Sequence, residues 1–206
     1  MNLAGKLLVA MPGMGDPRFE HSVIMMCAHS SDGAMGLIVN KPAPDLSFDQ
    51  LLTQLNIPHS DRSRDIRIHF GGPVEHVRGF VLHSGDYAGH GATLKVSSDF
   101  GMTATLDVLQ ELAEGDGPAR SILALGYAGW GPGQLESEIL ANGWLTCDAS
   151  EALVFNGSNS RKWELALRSM GIDPLSLSAT ALPPGVAQRI RSDLGRRSGS
   201  PSRRRE

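Results

Sequence analysis

Between Leu125 and Leu145 an apolar run meets four closely spaced glycines and then a helix-like run, and no other stretch restricts the fold as much. Ile122 to Leu125 is continuously apolar, as a buried strand is. Gly126, Gly129, Gly131 and Gly133 follow, and glycine alone enters positive φ without steric cost. Pro132 suits the first helical position, where its missing N–H would have no intrahelical partner anyway. Leu135, Ile139 and Leu140 then make one apolar face, and Gly143 after Asn142 reads as the helix stop. Glu136 and Glu138 fall in the first turn, where they balance the helix dipole and oppose a phosphate. No Gly-Lys-Ser/Thr follows the glycines, so the turn is not a triphosphate loop. It reads first as a tight connection packing Tyr127 and Trp130 beside a sheet.

The same period logic divides the rest of the chain. Lys6 to Met11 is a strand ended by Pro12, and Pro12 to Arg18 is a loop. Ser22 to Cys27 and Met35 to Asn40 are strand-like on either side of a Ser31–Ala34 turn containing Asp-Gly, a hairpin signal. Ser47 with Gln50 forms a capping box, and Phe48, Leu51, Leu52 and Leu55 recur at helical spacing up to Pro58. Ile66 to Phe70 and Gly79 to His83 are strands around a Gly71-Gly72-Pro73 turn. Thr93 to Val96 and Met102 to Ala104 are short strands. Thr105 is placed to cap a helix with apolar residues Leu106, Leu109, Leu112 and Ala113 and a stop at Gly115. Trp144 to Cys147 and Leu153 to Phe155 read as strands, and a helix from about Ser160 carries Trp163, Ala166, Leu167 and Met170 up to Gly171. Hairpins stand beside crossover-length connections, so the fold class is α+β with a mixed sheet and helices packed on it.

Charge and cysteine usage restrict function more than overall composition does. Residues 183–206 hold seven arginines against Asp193 and Glu206, a net of +5, whereas residues 1–182 hold 12 basic and 20 acidic side chains, a net of −8. The tail after Leu182 has little to bury, so residues 1–182 are expected to form the single domain and 183–206 a basic, mostly disordered extension. Its arginines suit either weak, salt-sensitive contact with nucleic-acid phosphates or plain solubility. With no apolar run of about 18 residues, no membrane span is expected. Met1 to Met11 lacks the basic start and cleavage site of a secretory signal, which makes the cytoplasm the expected location. Cys27 and Cys147 are too few for a disulfide framework or a four-thiolate zinc site.

Several chemistry-bearing patterns are incomplete. Gly13 and Gly15 follow a strand, but Pro17 and Arg18 stand where a dinucleotide fingerprint needs a third glycine and a helix. His69, His76, His83 and His90 recur every seven residues, a period that aligns side chains only on a helix, and this stretch is strand-like. Cys27 and His29 lack a second ligand pair at metal spacing, and no Gly-x-Ser-x-Gly or His-Glu-x-x-His occurs. Neither a metal nor any other cofactor is expected. Asn40 and Lys41 close the hairpin and Arg78 precedes a strand, so these polar residues at strand ends are candidate ligand contacts.

Four segments together resemble the YqgE/AlgH family: Phe19 to Val23, Gly33 to Pro42, Gly71 to Val74 with Arg78 to His83, and Leu125 to Leu145. The resemblance covers residues 3–182. It implies an α+β domain whose mixed, bent β-sheet curls into a pseudo-barrel with helices packed outside. Of function it implies little, since most of that family is uncharacterised. One branch carries a transcriptional-regulator label, with no DNA-binding motif to match. The resulting expectation is a non-enzymatic binding or regulatory protein with a protein or small-molecule partner, its contacts drawn from Asn40, Lys41, Arg78, Trp130 and Gln134. The alternative is an enzyme or thiol-based sensor using Cys27 or a cleft near the glycine-rich turns.

Overall fold

The computed structural model describes residues 2–156 and 158–180; the arginine-rich tail expected from 183 onward lies outside the described residues. The elements in chain order are β1 (Lys6–Ala10), β2 (Val23–Ser30), β3 (Gly33–Ile38), α1 (Phe48–Gln54), β4 (Ile68–Phe70), β5 (Val74–Ser84), β6 (Thr93–Lys95), β7 (Phe100–Thr103), α2 (Leu106–Glu114), β8 (Ser121–Trp130), α3 (Gln134–Leu140), β9 (Trp144–Asp148), α4 (Glu151–Phe155), α5 (Asn159–Ser169) and α6 (Pro174–Thr180). The strands form one sheet in the order β6-β7-β5-β8-β3-β2-β1-β9, all pairs antiparallel, with β4 added parallel to β8. The sheet is curled into a half-barrel, the bent, mixed α+β architecture that the sequence and the resemblance imply.

Alternation along the strands buries both sheet faces. Leu7, Val9, Met25, Leu37, Phe80, Leu82, Met102, Ile122 and Ala124 share one cluster spanning both halves of the sheet, as residues on the concave side of a curl must. Trp163, Ala166 and Leu167 of α5 and Val154 of α4 close that cluster. The alternate residues diverge into two clusters on the convex side. Val81 and Leu123 pack under α1 and α2, and Leu8, Ala10, Ile24 and Met26 pack beside Leu135 of α3.

β8 joins these halves by changing partners along its length. Leu123–Leu125 pair with β4 and Ala128–Trp130 pair with β3, while β5 pairs with Ser121–Leu125 and again with Tyr127. The change falls at Gly126, whose φ is +71. There the Gly71–Gly72 backbone lies directly against β8. A Cβ on Gly71 would stand 2.3 Å from the Gly126 carbonyl oxygen, and one on Gly72 2.0 Å from the Tyr127 carbonyl carbon. The glycines therefore do not loosen a turn after the strand; Gly126 and Gly129 lie inside a ten-residue strand that continues to Trp130.

Other local departures have equally specific causes. Gly133, at φ +70, is the α3 N-cap, so Pro132 stands outside the helix instead of opening it. Asn142, at φ +59, takes the left-handed position assigned to Gly143. Leu140 is 84% exposed and leaves the apolar face, which Leu135 and Ile139 carry. Leu153–Phe155 belongs to helix α4, not to a strand: the Ser150 hydroxyl accepts from the Leu153 amide at 3.2 Å, and a three-residue apolar run has no period of its own. Thr105 occupies its N-cap position without a side-chain cap bond, whereas Ser47 and Gln50 make the reciprocal capping box. Helix α6 follows Gly171, where the periodicity marks no element, and the weak helix expected over Val186 to Leu194 lies outside the described residues.

One buried charge ties the concave core together. Lys162 of α5 is 1% exposed, and its ammonium donates to the carbonyls of Val39 at 2.9 Å and Val154 at 2.6 Å. Burial, aided by the nearby Arg67 charge, pushes its pKa down to about 8 from an ordinary 10.5.

Gly72→Ala, which drives a methyl into backbone, should cost more than about 3 kcal/mol or abolish folding, whereas Gly133→Ala, at positive φ but in open space, should cost only about 1–2 kcal/mol; chemical denaturation of both variants checks the contrast. For Lys162, the unfolded chain keeps a proton between pH 8 and 10.5 that the folded chain has released, so stability contributed by this group rises with pH across that window and is lost as pH falls through 8. Unfolding free energies measured from pH 7.5 to 10.5 should show that rise in the wild type relative to Lys162→Met, the difference between the two curves being flat if Lys162 is not its source.

Candidate functional site

The bend in β8 creates an open groove at the mouth of the half-barrel. Between Val74 and Gly79, four residues of β5 stand opposite the single Gly126 of β8, so 75–78 bulge outward. Glu75 sits at φ +47 in this bulge, and Val77 at its tip is 85% exposed. The bulge and the β2–β3 hairpin are the two walls of a groove of about 750 Å³, floored by Met35, Phe80, Met102 and Tyr127. Arg78 lies at its rim, its guanidinium 3.1 Å from Glu75 Oε2 and 5.1 Å from the centre of the Phe80 ring.

A second, more enclosed depression of about 470 Å³ lies behind the ridge of Val74, Gly129 and Trp130, residues that line both spaces. Phe19, Trp130 and Trp144 line it at steep mutual angles: Phe19 meets Trp144 at 75° and Trp130 meets Trp144 at 81°. Glu138 holds this arrangement. Its Oε2 accepts from the indole N–H of Trp130 at 2.9 Å and of Trp144 at 2.8 Å, and its Oε1 accepts from Gln134 Nε2 at 2.9 Å. Gln134 and Glu138 stand four apart on α3, but no periodicity directs Trp130 and Trp144 to the same carboxylate, so Glu138 reads in the sequence as a dipole balancer only.

His29, which the sequence offers only as half of an incomplete metal pair, has a bridging role instead. It is nearly enclosed, its Nδ1 accepts from the Leu3 amide at 3.0 Å, and its Nε2 donates to Glu136 Oε1 at 2.7 Å. That tautomer joins the hairpin wall to the N-terminal segment and to α3. Glu136 is held below the usual carboxylate range by its own backbone N–H and then by His29.

The residues singled out from sequence separate into two groups. Arg78 and Trp130 share the groove, and Trp130 and Gln134 share the aromatic pocket with Pro73. The Gly71–Pro73 and Gly129–Gln134 turns therefore do converge. Asn40 and Lys41 do not join them; they open on a separate depression with His21 and Asn159. Asn40 fixes backbone, its Oδ1 accepting from the Val23 amide and its Nδ2 donating to the His21 carbonyl, each at 2.8 Å. Lys41 donates to the Arg18 carbonyl at 2.6 Å, and burial lowers its pKa. The Gln134 amide is committed to Gly131 N–H and Glu138. The histidines at seven-residue spacing scatter: His69 and His83 are buried and hydrogen-bonded, with burial lowering both pKa values, while His76 and His90 are exposed.

Cys27 is in the concave core, 2% exposed, and burial pushes its thiol up to about 12. A sensor needs an accessible, acidic thiol, so the proposed use of Cys27 fails on both counts. Native protein at pH 8 should leave Cys27 unmodified by iodoacetamide, with modification beginning only under denaturant; labelling of folded protein at the rate of a free thiol would contradict this placement.

Comparison with known proteins agrees with the fold and extends along nearly the whole described chain. The AlgH-like family model matches residues 7–175. A UPF0301 protein of Cereibacter sphaeroides is 61% identical over 181 residues, covering 88% of this chain and 98% of its own. The solution structure of the AlgH protein from Pseudomonas aeruginosa superposes with a TM-score of 0.73 at 38% identity, over 87% of this chain and 94% of that one. A crystal structure of a Corynebacterium diphtheriae protein, 21% identical, shares the fold with a TM-score of 0.66 over 88% and 92% of the two chains.

Proposed function

Since this chain belongs to the AlgH-like family, we propose that it is a non-enzymatic binding protein of the cytoplasm, regulatory in role, that holds a protein partner in the groove between the β2–β3 hairpin and the β5 bulge. The observation that supports this most directly is the contrast between the groove and the polar residues around it. Asn40, Lys41, Gln134 and Trp130 spend their hydrogen-bonding groups on the protein itself. The groove instead offers an apolar floor of Met35, Phe80, Met102 and Tyr127 beside the exposed Glu75–Arg78 pair. Such a surface gives an apolar side chain area to bury and a charged rim to set orientation, and methionines adapt their shape to what they contact.

Cys27 and Cys147 are both unpaired thiols, which suits a reducing compartment. Nucleic-acid contact, the basis of a transcriptional reading, would fall to the arginines after Leu182, because residues 1–182 carry a net charge of −8 that opposes phosphate.

The bulge allows a test that spares the core. Proteins recovered with the wild type by affinity capture should drop at least about ten-fold with the charge-reversed double variant Glu75→Lys, Arg78→Glu, both residues lining the groove, and should be retained by Leu140→Asp, which alters an exposed leucine on α3. Equal recovery by all three proteins would remove the groove as the binding site.

A further inference from the structure

We propose that the aromatic pocket behind the groove receives a lysine side chain of the bound protein, a reading that rests on the groove being the partner site. Three observations carry it. First, the pocket walls are Phe19, Trp130 and Trp144, with neighbouring rings near perpendicular at centroid distances of 5.7 and 6.0 Å. Aromatic faces attract a cation through their quadrupole and cover the methylene stem that carries it.

Second, the pocket holds one carboxylate without a counter-charge. Asp16 and Arg18 at the rim neutralise each other through a 2.6 Å pair, and Arg18 rests over Phe19 at 5.9 Å. Glu138 has only neutral donors, two indoles and an amide, and no salt bridge recorded among the described residues involves it. A cation is the complementary occupant.

Third, the hydrogen bonds already made select the kind of cation. A carboxylate oxygen offers about two acceptor sites. Both sites on Oε2 are taken by the indoles, and Oε1 keeps one after Gln134. Guanidinium pairs most strongly with a carboxylate as a two-pronged fork on both oxygens, whereas an ammonium is a point charge that needs one. Lysine therefore fits better than arginine. The pocket is also within reach of a partner in the groove, because Val74, Gly129 and Trp130 line both.

The tryptophans supply the readout. Trp130 and Trp144 point their indole N–H groups at Glu138, while Trp163 donates to the Ala10 carbonyl in the concave core and reports on folding alone. Full-length protein labelled with ¹⁵N at its tryptophans is titrated with the N-acetyl methylamides of lysine, arginine and norleucine. The expected result is a progressive shift of the Trp130 and Trp144 indole signals by lysine, with Trp163 unmoved. Norleucine, which has an apolar chain and no ammonium, and arginine should each be at least about ten-fold weaker. Glu138→Gln should erase the lysine–norleucine difference. If that variant disturbs the Trp163 signal, Phe19→Leu, which leaves the Glu138 bonds intact, must weaken lysine binding instead. Equal responses to lysine and norleucine, an arginine response matching lysine, or no response of the two signals would each overturn the proposal. The groove reading fails separately: it falls if the Glu75→Lys, Arg78→Glu variant captures partners normally while the lysine probe still binds.

Discussion

The half-barrel depends on a place where two backbones touch with no side chain between them. Gly71 and Gly72 lie against Gly126 and Tyr127 so closely that a methyl group on either would sit inside main-chain atoms. That contact sets where β8 exchanges β4 for β3 as a neighbour, and so where the sheet bends. It also leaves Gly126 alone opposite four residues of β5, which turns 75–78 outward into the groove wall. A β-branched or bulky residue at these positions would push β4 and β8 apart and flatten the sheet. The concave cluster, whose residues come from both halves, would then have no shared interior.

This dependence explains what was legible in the sequence. Strong periodicity placed most strands and the helices around Leu52, Leu112 and Trp163, because burial on a defined face leaves a pattern of 2 or 3.6 residues. The glycines near Leu125 were visible as a constraint, but their purpose was not. Gly126 serves a contact with Gly71 and Gly72, more than fifty positions away, and a local reading assigns such residues to the nearest turn. The same limit affects Leu153–Phe155: three apolar residues suit a strand or a helix equally, and Ser150 as a cap decides between them. Cys27 meets the same limit, since an isolated cysteine suits a buried thiol or an exposed sensor until the strands around it are assembled.

At the site, polarity proved a poor guide to availability. Asn40 and Lys41 stand at a strand end, where ligand contacts are common, yet their groups bind backbone and hold the loop that contains Arg18 and His21. Backbone amides and carbonyls left outside the sheet must be paired, and side chains near strand ends are the nearest means. Arg78 differs because its partner, Glu75, lies three residues away on the same exposed bulge. An exposed pair of that kind contributes little to stability, so its cation can change partners at small cost.

The two residues that connect the fold to the proposed recognition are Trp130 and Glu138. Trp130 is the last residue of β8, four positions beyond the bend, and it forms the ridge between the groove and the pocket. Its orientation depends on Glu138, one turn into α3, and that helix starts where it does because Gly133 adopts a left-handed cap. Glu138 also fixes Trp144 at the start of β9, so a single carboxylate joins the end of the central strand, a helix and the edge strand. Two neutral N–H donors on one charged oxygen satisfy its geometry but leave its charge uncompensated. A neutral acceptor, such as the amide oxygen of a glutamine, would hold the tryptophans without that charge. Retaining a carboxylate among three aromatic rings is therefore better accounted for by a cation that arrives from outside than by the packing of the ridge.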